Sequence, residues 1–534
     1  MAQQAPRGEA QNYYQEGAPQ SQQYQGEQQQ YNGQQQYGGP QQQKNFGQAP
    51  PQYGNNSYAP QNYEAQGEKQ DFQQAFKLDK PKYNDWPWGL LFIAVFIGYI
   101  AVSGLAIRGY ATTKGFNGGG IYGSKNDFGL DTNTIVLFIF CLVVAIVFSY
   151  AYVWLARIFT KQFIWTTGIL NIIFGLVTAI YMLSRKYWSG GIVFLIFTLF
   201  TAFCFYTWIP RIPFSVLMLQ TSIDVSKKYG HVYLVSFIGG LIATALGAWY
   251  SVTLVAIYAK YQPGNNPACS ASGSCSSATV IGLIAFVTFA MYWISEWLKN
   301  TIHTTISGVY GSWYFCSYNF PKGATRGAFK RSITYSFGSI SLGSLIVAII
   351  NCLRQLCSIA QNSNAGQGNM VASIMFCVLG CLISVLNWAV QFINRYAFSH
   401  IALYGKSYFS AAKDTWTMIK NRGIDALVNE CLIGPVLTMG ATFIGFACAL
   451  LAYLYLIFTS PAYNSTGSFT PVVVAFAFLI GLQICQIFTT PLSSGIDTIF
   501  VAAAWDPEVL MRDHPDLYAK MVAVYPHVQQ AIHA

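Results

Sequence analysis

The residues in this chain best suited to hold a ligand without breaking bonds are aromatic and acidic. They fall together in the run Tyr292-Trp293-Ile294-Ser295-Glu296-Trp297. Residues four apart share a helical face, so Trp293 and Trp297 would stand together beside the Glu296 carboxylate. A quaternary ammonium group cannot donate a hydrogen bond and is held by the faces of aromatic rings, which makes this run a candidate cage for an organic cation. A simpler role fits the same spacing, in which Glu296 ends an apolar span and pairs with Lys299. Bond-breaking chemistry has no comparable cluster. No P-loop, HExxH, GxSxG elbow or Rossmann fingerprint stands in its required context, and no CxxC or Cys/His metal pattern occurs. His231, His303 and His400 occur singly near span ends, and His514, His527 and His533 follow the last apolar block. The sequence therefore predicts no catalytic residue, cofactor or metal, and no enzyme.

Cys269 and Cys275, in the polar loop NNPACSASGSCSSA, could close a small disulfide loop on an oxidising face or remain two free thiols. Cys141, Cys204, Cys352, Cys377, Cys381, Cys448 and Cys485 lie in apolar blocks, where cysteine packs as a small hydrophobe. Asn464-Ser465-Thr466 is an N-glycosylation acceptor, and Asn55-Asn56-Ser57 shares the pattern in a region expected to go unmodified. Ser339 with Gly343, and Ala441, Gly445 and Ala449, place small residues four apart for close helix packing or for sliding beside a substrate path. Asp497, at the end of the last apolar block, is a second acid near the membrane.

These residues need elements to position them, and composition names the elements. Of 534 residues only 9% are charged and 53% are hydrophobic, with a mean hydropathy of +0.34. A soluble surface needs about 25% charge. Ten blocks are long enough to cross a bilayer, at 87–107, 133–156, 163–183, 188–209, 232–258, 278–298, 333–353, 371–394, 432–458 and 472–496; Glu296 alone interrupts them. The fold class is an all-α polytopic membrane protein occupying 81–505. Residues 1–80 are rich in Gln, Tyr, Gly, Pro and Asn, lack the aliphatic side chains that offset chain entropy, and are expected to be a disordered cytoplasmic tail. With the N-terminus inside, 23 of the 30 Lys and Arg fall on the cytoplasmic side and 7 outside, so both termini, including 506–534, are assigned to the cytoplasm. The same charges keep 299–332 and 395–431 on that side, with 301–321 expected as an interfacial or re-entrant helix. The net charge of +10 is spread between apolar blocks with no basic stripe, which excludes nucleic acid as a partner.

Several spaced motifs then resemble one known family. Tyr292-Trp293 and Trp297, Asn300-Thr301-Ile302-His303, Ser307-Gly308 and Gly311-Ser312-Trp313-Tyr314-Phe315 come first. Gly338-Ser339-Ile340 with Gly343-Ser344-Leu345-Ile346, Asn394-Arg395-Tyr396-Ala397-Phe398 with Ser410-Ala411-Ala412-Lys413-Asp414, and Asp497-Thr498-Ile499-Phe500 leading to Asp506-Pro507-Glu508 follow in order. Together, from about 85 to 515, they resemble the choline transporter-like family. The Gln-rich tail and the short first outside loop resemble its fungal pH-nine-sensitive branch. The resemblance implies a ten-span plasma-membrane transporter of choline or a related small organic cation, working in the lipid bilayer by alternating access or facilitated diffusion, with Trp293, Glu296 and Trp297 at the substrate. The competing expectation is a membrane-anchored scaffold or stress-related interaction protein whose working end is the tail.

Overall fold

The structure is a computed structural model that describes residues 82–114, 132–186, 188–261, 276–367, 369–459 and 470–524. The tail of residues 1–80, Cys269, Cys275 and Asn464 lie outside the described residues.

Each long apolar block is helical, because only a helix satisfies its own backbone donors and acceptors in hydrocarbon. In chain order the helices are α1 (Trp86–Lys114), α2 (Thr132–Ile158), α3 (Thr160–Ser184), α4 (Trp188–Trp208), α5 (Ile212–Lys228), α6 (His231–Tyr261) and α7 (Ser277–Phe315). They continue with α8 (Ala324–Ile333), α9 (Phe337–Gly366), α10 (Met370–Tyr404), α11 (Tyr408–Thr459), α12 (Thr470–Trp505), α13 (Pro507–Asp513) and α14 (Pro515–Val524). Ten helices are long and apolar enough to cross a membrane, in the order the hydropathy predicts. An even number of crossings brings residues 82 and 524 to one face, called the near face below. The short helices α5, α8, α13 and α14 cover that face.

The polar stretches that follow the sixth and eighth apolar blocks do not form separate interfacial helices. The segment 301–315 is the in-line continuation of α7, which runs 39 residues without a break, about 58 Å and roughly twice the hydrocarbon thickness. Likewise α10 continues to Tyr404, is stopped by Gly405 in the left-handed conformation (φ 62°), and the chain re-enters as α11 after three residues. Helix α11 is 52 residues long with Pro435 inside it, and α12 carries Pro491. The charges of Lys299, Lys322 and Arg326 argue for a break at the membrane, but a helix covered by other helices can run on beyond the length a bilayer needs.

Packing divides the molecule in two. On the far side, one buried cluster belongs to α1, α6, α7 and α9, with Phe92, Tyr99, Ile257 and Val287 among its members. Separate clusters belong to α2, α11 and α12, including Leu137, Cys141, Ala452 and Cys485. On the near side the largest cluster joins α2, α5, α6, α7, α8, α10, α11, α12, α13 and α14, through residues such as Met218, Ile306, Tyr310, Leu403, Leu492 and Val501, flanked by smaller ones around Ile340, Phe398 and Tyr408 and around Ile164, Ile212 and Val436. The far half is thus two lobes standing on one near-side slab.

Candidate functional site

Helix α7 carries the sequence-predicted residues where the lobes meet the slab. Ser276 starts it by accepting a hydrogen bond from the Thr279 amide (3.1 Å). Trp293 is 1% exposed. Its indole N–H donates to the Ser341 carbonyl of α9 (2.9 Å), and its ring meets Phe92 of α1 edge-on, with centroids 5.4 Å apart. Trp297 lies 5.0 Å from Phe92 and 5.6 Å from Phe337. Its indole N–H is buried and finds no acceptor among the described residues. Glu296 keeps 15% of its side chain exposed and sits 3.5 Å from Lys299 Nζ, which also reaches Gln391 Oε1 of α10 (3.3 Å). The two indoles therefore turn toward α1 and α9, where Phe92 and Phe337 cover them, while the carboxylate pairs with Lys299 beside α10.

Tyr292, Glu296, Lys299 and His303 lie four, three and four residues apart, so they make one stripe along α7. His303 closes the stripe at its near end. Its Nε2 contacts the Arg395 carbonyl (3.0 Å) and Ser399 Oγ (3.2 Å) on α10, and its Nδ1 contacts Ser494 Oγ on α12 (3.0 Å). A carbonyl only accepts, so Nε2 carries a proton, while the Ser494 hydroxyl can meet Nδ1 as donor or acceptor, and the ring ties three helices together.

Below His303 the slab is held by polar side chains in protein rather than in water. Asn300 Nδ2 donates to Ser344 Oγ (2.9 Å), Asn394 Nδ2 to the Gly343 carbonyl (3.1 Å), and Tyr408 Oη to Asn394 Oδ1 (2.6 Å). Tyr310 Oη donates to the Ser222 carbonyl (2.9 Å), and Ser222 Oγ donates to the Leu492 carbonyl (2.9 Å). Gly495 must be glycine here, because a Cβ would run into the Tyr310 ring and lie 2.6 Å from Ser222 Oγ. Asp497 is buried in the same slab at 2% exposure. At the start of α1, Asp85 Oδ2 accepts from Ser339 Oγ and from the Tyr408 amide, both at 2.7 Å, tying the N-termini of α9 and α11 together. Gly338 allows the Asp85 backbone to pass close, since a Cβ there would sit 2.5 Å from the Asn84 carbonyl oxygen.

The chain end completes the near face. Tyr404 Oη donates to Asp506 Oδ2 (2.7 Å) and Tyr314 Oη to the Asp506 carbonyl (2.9 Å). Burial pushes the Asp506 carboxyl up to about 6, against the opposing effects of the Tyr404 hydrogen bond and the Lys406 charge. His514 donates from Nε2 to the Tyr314 carbonyl (2.9 Å) and stacks near Trp313, with centroids 4.4 Å apart. Burial holds its imidazole below the usual histidine range.

Among the described residues no three His, Cys, Asp or Glu side chains converge as metal ligands. Sequence reasoning placed Trp293, Glu296 and Trp297 at the site, met His303, Asn300 and Asn394 only as a lone histidine and as parts of motifs, and missed Ser494. Their signal was the polar run Asn300 to Thr305 continuing a helix that should have ended at the membrane.

The geometry can be set beside known proteins. A family model described as plasma-membrane choline transporter matches residues 192–508. The chain is 66% identical to Protein PNS1 of Gibberella zeae across 89% of each chain. It is 65% identical to Protein PNS1 of Neurospora crassa, covering 87% of this chain and 84% of the relative. Protein PNS1 of Saccharomyces cerevisiae is 42% identical, covering 91% of this chain and 92% of the relative.

Proposed function

The chain belongs to the choline transporter-like family, in its fungal pH-nine-sensitive branch, and on that premise we propose that it carries choline or a related small organic cation across the plasma membrane. The observation that carries this reading is the division of the far half into two lobes above a common slab, with the α7 stripe leading from Tyr292 to His303. Such a frame suits alternating access, in which lobes rock about a fixed site while a packed base stays shut. The near face is the cytoplasmic one, since it receives 23 of the 30 Lys and Arg.

In the proposed cycle the substrate meets Trp293, Glu296 and Trp297 as α1 separates from α7. Its ammonium group takes the place of Phe92 against the indoles, Glu296 supplies the counter-charge by exchanging Lys299 for the substrate, and the buried Trp297 N–H becomes a donor for a substrate oxygen. A cation held between aromatic faces and a carboxylate gains affinity from both. On the far side, Cys269 and Cys275 would close a disulfide loop and Asn464 would carry glycan.

Radiolabelled uptake into proteoliposomes of the purified full chain tests the proposal. Saturable choline or ethanolamine uptake is expected, with Glu296→Gln raising KM on the order of tenfold. Absence of saturable uptake of either compound, or a Glu296→Gln and Trp293→Ala pair both matching the parent, would sink it.

A further inference from the structure

On the near face, away from the α7 stripe, the elbow between α2 and α3, the length of α5 and the terminal helix α14 enclose two adjoining hollows of about 340 and 370 Å³. They share Leu217, Gln220 and Lys520 and so form one groove. Its two parts differ in chemistry. The first is walled by Pro213, Val216, Leu217, Ala523 and Val524, with Lys161 and Lys520 as its charges. The second brings Arg157, Lys228 and Lys520 against Asp224 and Asp516, beside Trp313.

The charges do not cancel. Arg157 is neutralised by Asp224 through two parallel hydrogen bonds of 2.7 and 2.9 Å. That leaves Lys161, Lys228 and Lys520 facing Asp516 alone. Lys161 and Lys520 have no carboxylate within ion-pair distance among the described residues. An apolar hollow bordered by uncompensated ammonium groups selects a ligand that is both anionic and greasy. Lys161 is the second residue of α3, and Pro213 lies one turn beyond α4, so the groove opens where those helices leave the hydrocarbon. Trp154, Ile158 and Phe159, each 45% exposed or more, continue an apolar surface from its mouth.

We infer that this groove binds an anionic glycerophospholipid, with the phosphate between Lys161 and Lys520 and the glycerol and first acyl carbons along Val216 and Val524. Soluble phosphate compounds share the anionic end of that chemistry, but the apolar hollow would gain nothing from them. The lipid bridges the α2–α3 elbow to α14 and so anchors the chain end beneath the bundle.

Native mass spectrometry of the full chain, released from neutral detergent with added phosphatidylserine, phosphatidylinositol phosphate or phosphatidylcholine, tests the assignment. Anionic lipid should be retained over phosphatidylcholine, and each lysine removed should lower retention about fivefold, so that Lys161→Gln with Lys520→Gln loses most of it. Lys322→Gln with Lys330→Gln, which removes two exposed lysines elsewhere on the near face, should leave retention unchanged. Val216→Trp, which fills the apolar hollow and keeps both lysines, should also expel the lipid; an unchanged melting temperature for each variant separates lost binding from lost folding. Equal retention of phosphatidylcholine, or a Lys161→Gln/Lys520→Gln variant that binds as the parent does, overturns the inference. Displacement of bound lipid by excess inorganic phosphate overturns it too, by making the ligand a soluble anion.

Discussion

The far and near halves of this molecule are both helical, yet different forces hold them. In the far half, lobes are joined internally by aliphatic and aromatic contacts with few polar links. One of these is Ser103, which accepts from the Trp249 indole at 2.6 Å and shares a 2.7 Å hydrogen bond with Thr253. In the near half, α7, α10, α11 and α12 run on beyond the length a bilayer needs and lock through His303, Asn394, Tyr310, Ser222 and Asp506. Association of apolar helices in lipid has little hydrophobic drive, so the lobes depend on shape and can separate. Where helices exceed the thickness of the hydrocarbon, their contacts bury surface from water, so in the slab both the hydrophobic effect and satisfied polar groups would act.

That contrast can be broken at its strongest point first. Gly495→Leu puts a side chain where Tyr310 and Ser222 already sit, and overpacking against a fully buried ring should cost about 3 kcal/mol or more and leave little folded protein by size-exclusion chromatography. Next, His303→Ala strips partners from Ser494, Ser399 and the Arg395 carbonyl, at about 3 kcal/mol. Its melting temperature in detergent should fall well below the parent's; a shift as small as that of a far-side variant would dissolve the distinction.

The third test uses pH. The Asp506 carboxyl is raised from 3.8 to about 6 in the folded chain, so folding favours its protonated form. The stabilisation is complete below the unfolded value and is lost as pH rises through about 6. Linkage puts the loss at about 2 to 3 kcal/mol between pH 4 and 7. Melting temperatures measured across that window should decline in the parent and decline less in Asp506→Asn, and parallel curves would show that the carboxyl is not buried as described. The smallest effect belongs to the far half, where Ser103→Ala removes one hydrogen-bonding hydroxyl and should cost about 1 kcal/mol. A cost equal to that of His303→Ala would mean the lobes are as firmly tied as the slab.

The two halves were also unequally legible. The ten spans could be read because twenty uncharged apolar residues have few other uses. The slab could not, because Asn300, Thr304, Thr305 and His303 look in sequence like residues meant for water, and periodicity does not distinguish burial in protein from exposure to solvent. Loop charges argue against an eleventh crossing at 301–321, yet they say nothing of whether the helix stops or runs on, and it runs on to Phe315. At the candidate site, the shared face of Trp293 and Trp297 followed from their spacing, and so did the Glu296–Lys299 pair. What covers the indoles did not, since Phe92 and Phe337 come from helices some 200 residues earlier and 40 later in the chain.

Helix α11 gives the architecture a mechanical character. Its 52 residues are continuous from the slab to the far end of a lobe, with Pro435 near the middle. A proline inside a helix removes one backbone hydrogen bond and is where long helices bend. The arm from Pro435 to Thr459 is about 36 Å long, so a flexure of roughly 10° at that fulcrum would swing its tip by about 6 Å, the width of a small ligand. A rod of this kind, clamped at one end and jointed in the middle, turns a slight local strain into a large stroke at its free end.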